Sequence, residues 1–213
     1  MIRAKKNLGQ NFLTDKSILE KIVNLTTIKE KNILEIGPGT GNLTSYILMK
    51  KPKKVIVIEK DEYLAKVLEE NFRDRVKVIN SDILKVDETS LLNQKLTVFG
   101  NLPYNISTEI LSKWIVNLKD TFWFDYLILM FQKEVADRIT AKFNTSAYGR
   151  LSILANWKLK VIKICDIKPD SFFPKPKINS SLLLFSPKNK SFKIKDPKNL
   201  EKVTRIFFSH RRK

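Results

Sequence analysis

Cysteine is nearly absent from this 213-residue chain: Cys165 stands alone, and a lone thiol cannot close an internal disulfide. A reducing compartment is expected, with Cys165 serving as a small, buried or half-buried apolar side chain. Histidine also occurs once, and without Cys-x-x-Cys spacing or a histidine-rich tract no metal site is expected. No apolar run approaches the ~20 residues that span a bilayer. The opening MIRAKKNLGQNFL is basic but lacks the apolar stretch of a secretory signal. These absences point to a soluble, cytoplasmic protein with no membrane partner. Acidic residues are scarce as well, 22 Asp and Glu against 40 Lys and Arg, a formal charge of +18. The imbalance is uneven: residues 1–149 carry 23 basic and 18 acidic side chains, residues 150–213 carry 17 and 4. Such a field favours a polyanion, because each phosphate neutralised releases condensed counterions. A lysine-rich solubilising surface is the alternative.

What is present is enough for one sizeable domain: 43% of residues are hydrophobic, and no repeat or low-complexity tract interrupts them. Seven β-branched apolar runs predict strands, at Asn32–Ile36, Lys54–Ile58, Val76–Ile79, Leu96–Phe99, Tyr126–Phe131, Leu159–Ile164 and Ser181–Phe185. Between the early ones, Leu43–Met49, Tyr63–Phe72 and Glu109–Val116 place apolar residues at helical steps. That alternation predicts an α/β fold with a mostly parallel sheet and helices on both faces. The last two strands, joined by a proline-bearing loop, predict an antiparallel pair at one edge. The lysine-rich SPKNKSFKIKDP (Ser186–Pro197) reads as a linker or mobile arm, followed by helical spacing at Leu200, Val203, Ile206 and Phe207.

Three strand ends carry a pattern. The first runs into Glu35-Ile36-Gly37-Pro38-Gly39-Thr40-Gly41, where glycines at alternate positions let backbone approach a ligand. This turn is unlike the GxGxxG dinucleotide fingerprint and resembles that of S-adenosylmethionine-dependent methyltransferases. The second strand ends at Glu59, about 20 residues on, where a carboxylate can accept both ribose hydroxyls. The third leads to Asp82 and Ile83, with Asp82 placed to accept from an adenine amino group. Each alone is more often a cap or turn; in order on one sheet edge they predict nucleoside binding.

The fourth strand ends in VFGNLPYNIST. Asn, Gly and Pro also end strands for purely local reasons, but here the stretch falls beside the methyl donor. Adenine N6 is a poor nucleophile because its lone pair is delocalised into the ring. Two acceptors fixed on its N–H groups help it pyramidalise, and the Asn101 side-chain oxygen and Leu102 carbonyl are the natural pair. Pro103 favours an extended Leu102, and Tyr104 can stack on the base.

At this point a family is visible. LGQNFL, LEIGPGTGNLT, NLPYNIST, FQKEVADRI, YGRLS, FFPKPKINSSL and SHRRK together resemble the KsgA (RsmA) family of small-subunit ribosomal RNA adenine dimethyltransferases, from Leu8 to Lys213. The resemblance implies a Rossmann-like class I methyltransferase with a seven-stranded sheet, using S-adenosyl-L-methionine and releasing S-adenosyl-L-homocysteine. It implies dimethylation of N6 on two adjacent adenosines in a hairpin loop near the 3′ end of 16S rRNA, within an immature small subunit, by a monomer. Carried over, the cofactor contacts are Asn11, Leu13, Gly37, Gly39, Glu59, Asp82, Ile83 and Asn101. The target-base pocket is Asn101, Leu102, Pro103 and Tyr104, with Phe172 facing Tyr104 across the adenine. Lys5, Lys6, Arg138, Lys142, Arg150, Arg211 and Arg212 are candidates for RNA phosphates, or solvated charge.

The expected division is a catalytic domain over 1–186 and, over 187–213, a basic linker with the start of a C-terminal helical region. Family members continue past SHRRK into a small helical domain, so a trimmed or naturally shortened chain is expected. Two other readings stay open. The macrolide-resistance methyltransferases of large-subunit rRNA share a motif like FFPKPKINSS, and a ribosome assembly factor could act mainly by binding.

Overall fold

The computed structural model describes residues 4, 5, 8–118 and 121–209; Lys6, Arg211 and Arg212 lie outside the described residues. A two-residue strand, β1 (Phe12–Leu13), and helix α1 (Lys16–Val23), capped by the Asp15 carboxylate, precede the first long apolar run. That run forms β2 (Asn32–Ile36), and alternation then follows: α2 (Asn42–Met49), β3 (Lys54–Glu59), α3 (Glu62–Phe72), β4 (Lys77–Asn80), β5 (Leu96–Asn101), α4 (Ser107–Val116) and β6 (Phe124–Gln132). Helices α5 (Lys133–Ile139) and α6 (Arg150–Lys158) lead to β7 (Leu159–Ile167), the short β8 (Phe172–Phe173), β9 (Ser180–Pro187) and α7 (Pro197–Ser209).

Seven strands form one sheet in the order β4-β3-β2-β5-β6-β9-β7, while β1 and β8 pair as a separate antiparallel ribbon. The first five run parallel and β9 is antiparallel to both of its neighbours, so the anticipated antiparallel pair lies at the β7 edge. Strands β2, β3 and β5 are buried on both faces, which is why they read as unbroken apolar runs. Their side chains alternate between two cores. Ile33, Val55, Val57 and Phe99 pack with residues of α1, α2 and α3, whereas Leu34, Ile56, Ile58 and Val98 pack with those of α4, α5 and α6.

The order turns at β2, with β3 and β4 on one side and β5 and β6 on the other, so a crevice opens between the carboxyl ends of β2 and β5. Register levels those ends: Ile36 lies opposite both Ile58 and Gly100, and Glu59 opposite Asn80. Among the described residues no helix is long and apolar enough to cross a membrane.

Two features differ from expectation. Helix α5 follows β6 with no breaker between Gln132 and Lys133, so the sequence carries no punctuation there. The segment expected as a linker or mobile arm lies against the domain. The Trp157 indole N–H donates to the Phe192 carbonyl at 2.7 Å, and Ile194 and Leu200 pack against the core. Helix α7 then lies on α4 and α6, with Thr204 buried and Arg150 paired to Glu201 at 3.0 Å. Ahead of α7 the anchors are isolated residues among lysines, too sparse to show as a periodicity; within α7 the helical spacing was legible, but Val203, Ile206 and Phe207 stand exposed while Thr204 is buried.

Candidate active site

The glycine turn closes the end of β2. Gly37 and Gly39 both take left-handed φ values, +63° and +58°. At Gly37 a Cβ would meet only the Asn101 carbonyl oxygen, at 3.7 Å, so it would project into open space at the crevice. At Gly39 it would stand 2.6 Å from the Phe12 ring, because β1 crosses directly over the turn. The Gly39 N–H donates to Glu59 Oε2 at 3.1 Å and the Asp61 N–H to Oε1 at 2.9 Å. The Lys60 backbone N–H adds a third contact, and the carboxylate lines both hollows of the crevice. Burial pushes the Glu59 pKa up, and those backbone donors hold it back.

Glu35 lies on the same wall, 2% exposed, accepting from the Thr44 hydroxyl at 2.7 Å. Burial, reinforced by nearby Glu59, pushes its carboxyl up to about 8 against the Thr44 hydrogen bond. Two carboxyl groups thus share a hollow where their bonded partners are a hydroxyl and backbone N–H groups, with no lysine or arginine among them. Burial holds these carboxyls toward their neutral forms, and a cationic ligand seated beside them would favour ionisation. A sulfonium nucleoside bearing an α-ammonium group fits that hollow.

The N-terminal LGQNFL segment straps over this turn. Lys5 Nζ and Gln10 Nε2 each donate to the buried Asp61 carboxylate at 3.0 Å. Burial opposes ionisation of Asp61, but these donors outweigh it and hold the pKa below the ordinary value. Asn42 Nδ2 donates to the Leu13 carbonyl at 2.8 Å, tying the strap to α2. Asn11 lines the hollow, and its carbonyl accepts from Asn101 Nδ2 at 2.6 Å.

That last bond decides which way the Asn101 amide points. With the nitrogen committed to Asn11, the side-chain oxygen is left as an acceptor. Leu102 buries its side chain in the core at 1% exposure, and Pro103 lines both hollows. The Tyr104 hydroxyl is 2.6 Å from Ser180 Oγ at the start of β9, which fixes the tilt of its ring; burial raises its pKa. On the far side, Asp82 caps the turn at Ile83–Lys85 through the Leu84 N–H (3.0 Å) and pairs with Lys60 (2.8 Å), whose hydrogen bond lowers the Asp82 pKa. Lys113 of α4 donates to the Ile83 carbonyl at 2.9 Å and staples this loop down.

The crevice therefore assembles Asn11, Leu13, Gly37, Gly39, Glu59, Asp82, Ile83 and Asn101–Tyr104. Phe172 is not among the residues that line the crevice: it is 3% exposed, pairs with Leu13 and packs in the cluster that contains Leu13, Met130 and Leu182. Adjacent strand residues point to opposite sides, and the ring that reaches solvent is Phe173, 62% exposed. Two charge candidates are also engaged elsewhere, Lys5 with Asp61 and Arg150 with Glu201. Arg138 and Lys142 are exposed. Sequence reasoning missed Asp61, Gln10, Thr44 and Ser180 as positioning groups. Ser180 lay within the quoted FFPKPKINSSL, but only the fold puts it under Tyr104.

A parallel sheet with one reversed strand, a glycine turn at the switch point and an acidic residue after the second strand define a Rossmann-like methyltransferase of the S-adenosylmethionine-dependent class. The family model for ribosomal RNA adenine dimethylase matches residues 1–213, and the chain belongs to that family. It is 68% identical to ribosomal RNA small subunit methyltransferase A of Pelagibacter ubique (strain HTCC1062) over 212 residues, all of this chain and 81% of that protein. A protein of the same description from Wolbachia sp. subsp. Drosophila simulans (strain wRi) is 43% identical, again over all of this chain and 79% of its own length. Among solved structures, a dimethyladenosine transferase from Plasmodium falciparum superposes with a TM-score of 0.81 at 33% identity, covering 95% of this chain and 72% of that one. The 23S rRNA methyltransferase ErmE superposes at 0.75 with 21% identity, covering 93% and 79%, a likeness of fold alone.

Proposed function

We propose that this enzyme dimethylates N6 of two adjacent adenosines in a hairpin loop near the 3′ end of 16S rRNA, acting as a monomer on an immature small subunit in the cytoplasm. The observation that supports it best is the Asn101 amide, turned by Asn11 so that its oxygen is an acceptor at the mouth of an acidic, glycine-lined crevice. S-adenosyl-L-methionine supplies a methyl group on cationic sulfur and leaves as S-adenosyl-L-homocysteine. Glu59 would hold the ribose hydroxyls, Asp82 and Ile83 the adenine, and Glu35 the cationic end. Gly37, Gly39, Asn11 and Leu13 shape the backbone wall.

Asn101 Oδ1 and the Leu102 carbonyl accept from the two N6 protons, concentrating the nitrogen lone pair toward the methyl carbon. Tyr104, tethered to Ser180, offers one face for stacking and keeps that nitrogen in line with the leaving sulfur. Methyl transfer from the bound donor would make the N–C bond at the expense of the C–S bond, and the proton left on nitrogen would be acidic enough for water to take. Reaching N6 requires an unpaired or extruded adenosine. Residues 1–186 would carry this chemistry, with 187–213 contributing to RNA contact.

The test is methyl transfer from tritiated cofactor to a mixture of under-methylated small and large subunits, with the labelled RNA separated and its nucleoside identified by chromatography. N6,N6-dimethyladenosine is expected, and Asn101→Ala should reduce its formation at least ~100-fold. Label confined to large-subunit RNA overturns the substrate assignment. Unchanged transfer by Asn101→Ala, with subunit assembly failing, overturns the catalytic reading in favour of an assembly factor.

A further inference from the structure

A second groove, of about 740 Å3, runs over α6 between the 140–148 loop and the 188–194 segment and shares no lining residue with the crevice. Two aromatic rings of this region stand almost wholly in solvent, Phe143 at 82% and Phe192 at 86%. Neither sits on loose chain. In the loop, Asn144 adopts a left-handed turn, Thr145 Oγ1 donates to the Lys142 carbonyl at 2.7 Å, and the Phe143 ring meets Tyr148 edge-on at 5.7 Å. On the opposite bank Trp157 holds the Phe192 carbonyl while Ile194 anchors the next turn. The backbone is fixed and the rings are left out.

Charge identifies the occupant. The groove is lined by Lys142, Lys188 and Lys190 and by no Asp or Glu. Lys188 reaches the Asn156 carbonyl; Lys142 and Lys190 form no ion pair among the described residues. Interfaces between proteins deplete lysine at their centre, whereas grooves for single-stranded nucleic acid combine one-signed charge with aromatic platforms. We propose that this groove binds an unpaired RNA strand, with bases stacking on Phe143 and Phe192 and phosphates on the lysines, as a second RNA site remote from the reacting adenosine. Its biological partner rests on the rRNA reading above.

The test is fluorescence anisotropy of the full chain with a labelled, unstructured RNA of about 12 nucleotides. Phe143→Ala/Phe192→Ala should weaken binding roughly 10- to 100-fold while leaving thermal stability unchanged, since both rings are already in solvent. Lys142→Gln/Lys190→Gln should flatten the dependence of log K on log salt by about 1.4. Unaltered affinity and salt slope in both pairs overturn the proposal. So does a ring variant that abolishes self-association in sedimentation while RNA affinity holds, which would make the groove an interface between copies. Asn101→Ala separates the two readings: it should bind this RNA normally while losing methyl transfer. Methyl transfer surviving in that variant sinks the catalytic reading and leaves the groove to be judged on its own titration.

Discussion

The crevice at the switch point and the lysine-rich surface over α6 and α7 treat charge in opposite ways. In the crevice, acidic groups are buried and held by backbone N–H donors, hydroxyls and one strap: Glu59 by Gly39 and Asp61, Glu35 by Thr44, Asp61 by Lys5 and Gln10. Over α6 and α7, basic groups stand in solvent beside exposed Phe143, Phe192, Val203, Ile206 and Phe207. A small cationic ligand needs a few rigid acceptors in a low-dielectric wall, where each is strong. A long polyanion needs many weak, screened contacts spread over a surface. One chain serves both because the sheet edge and the far helices are separate surfaces.

The comparison breaks first at the glycine turn. Gly39→Val adds a β-branched side chain where φ is +58° and Phe12 is 2.6 Å away. Cofactor binding by calorimetry should be lost, and chemical denaturation should show stability reduced by about 2–4 kcal/mol. A variant that binds cofactor normally would mean the strap yields freely.

The next test is pH. Glu35 ionises near 4.5 when unfolded and near 8 in the folded chain. The folded state thus keeps a proton that the unfolded chain has lost, so the stabilisation present below pH 4.5 is lost progressively up to about pH 8. Urea midpoints of the cofactor-free protein should fall across that window, and Glu35→Gln should flatten the decline. A wild-type profile already flat there would show Glu35 ionised and paired. The lowered pKa values of Asp15, Asp61 and Asp82 act at lower pH, where their stabilisation is lost as carboxylates protonate.

Ser180→Ala sharpens the base-holding reading. Loss of the tether should cost about 1 kcal/mol of stability, while kcat drops roughly 10-fold and cofactor affinity holds. Equal losses in cofactor affinity would make Ser180 structural only. The smallest effect belongs to the charged surface itself: Arg150→Ala should change stability by less than about 1 kcal/mol, because its pair with Glu201 is partly exposed. A larger loss would mean α7 is essential to the core.

Much of this was legible in order along the chain. The strand runs are apolar because parallel strands are covered on both faces, and the alternate glycines, Glu59, Asp82 and NLPY sit at strand ends where a switch-point site must be. The strap was legible only as a motif, since a two-residue ribbon pairing Leu13 with Phe172 leaves no periodic trace. The burial of Phe172 was not legible because in FF either ring could be outward, and only the ribbon's contacts decide which one joins the core. Lys5 and Arg150 looked like free charge because their carboxylate partners lie 56 and 51 residues away.

The sequence by itself determined the sheet, the family and which residues stand at the strand ends that line the crevice, because strand periodicity and short-range motifs are local properties of a chain. Only the tertiary structure decided that Asn11 orients Asn101, that Ser180 tethers Tyr104, and that the supposed linker lies along α6 with two aromatic rings held in solvent. Each of those joins distant segments, and which polar group finds which partner is settled when the apolar faces pack and leave few alternatives.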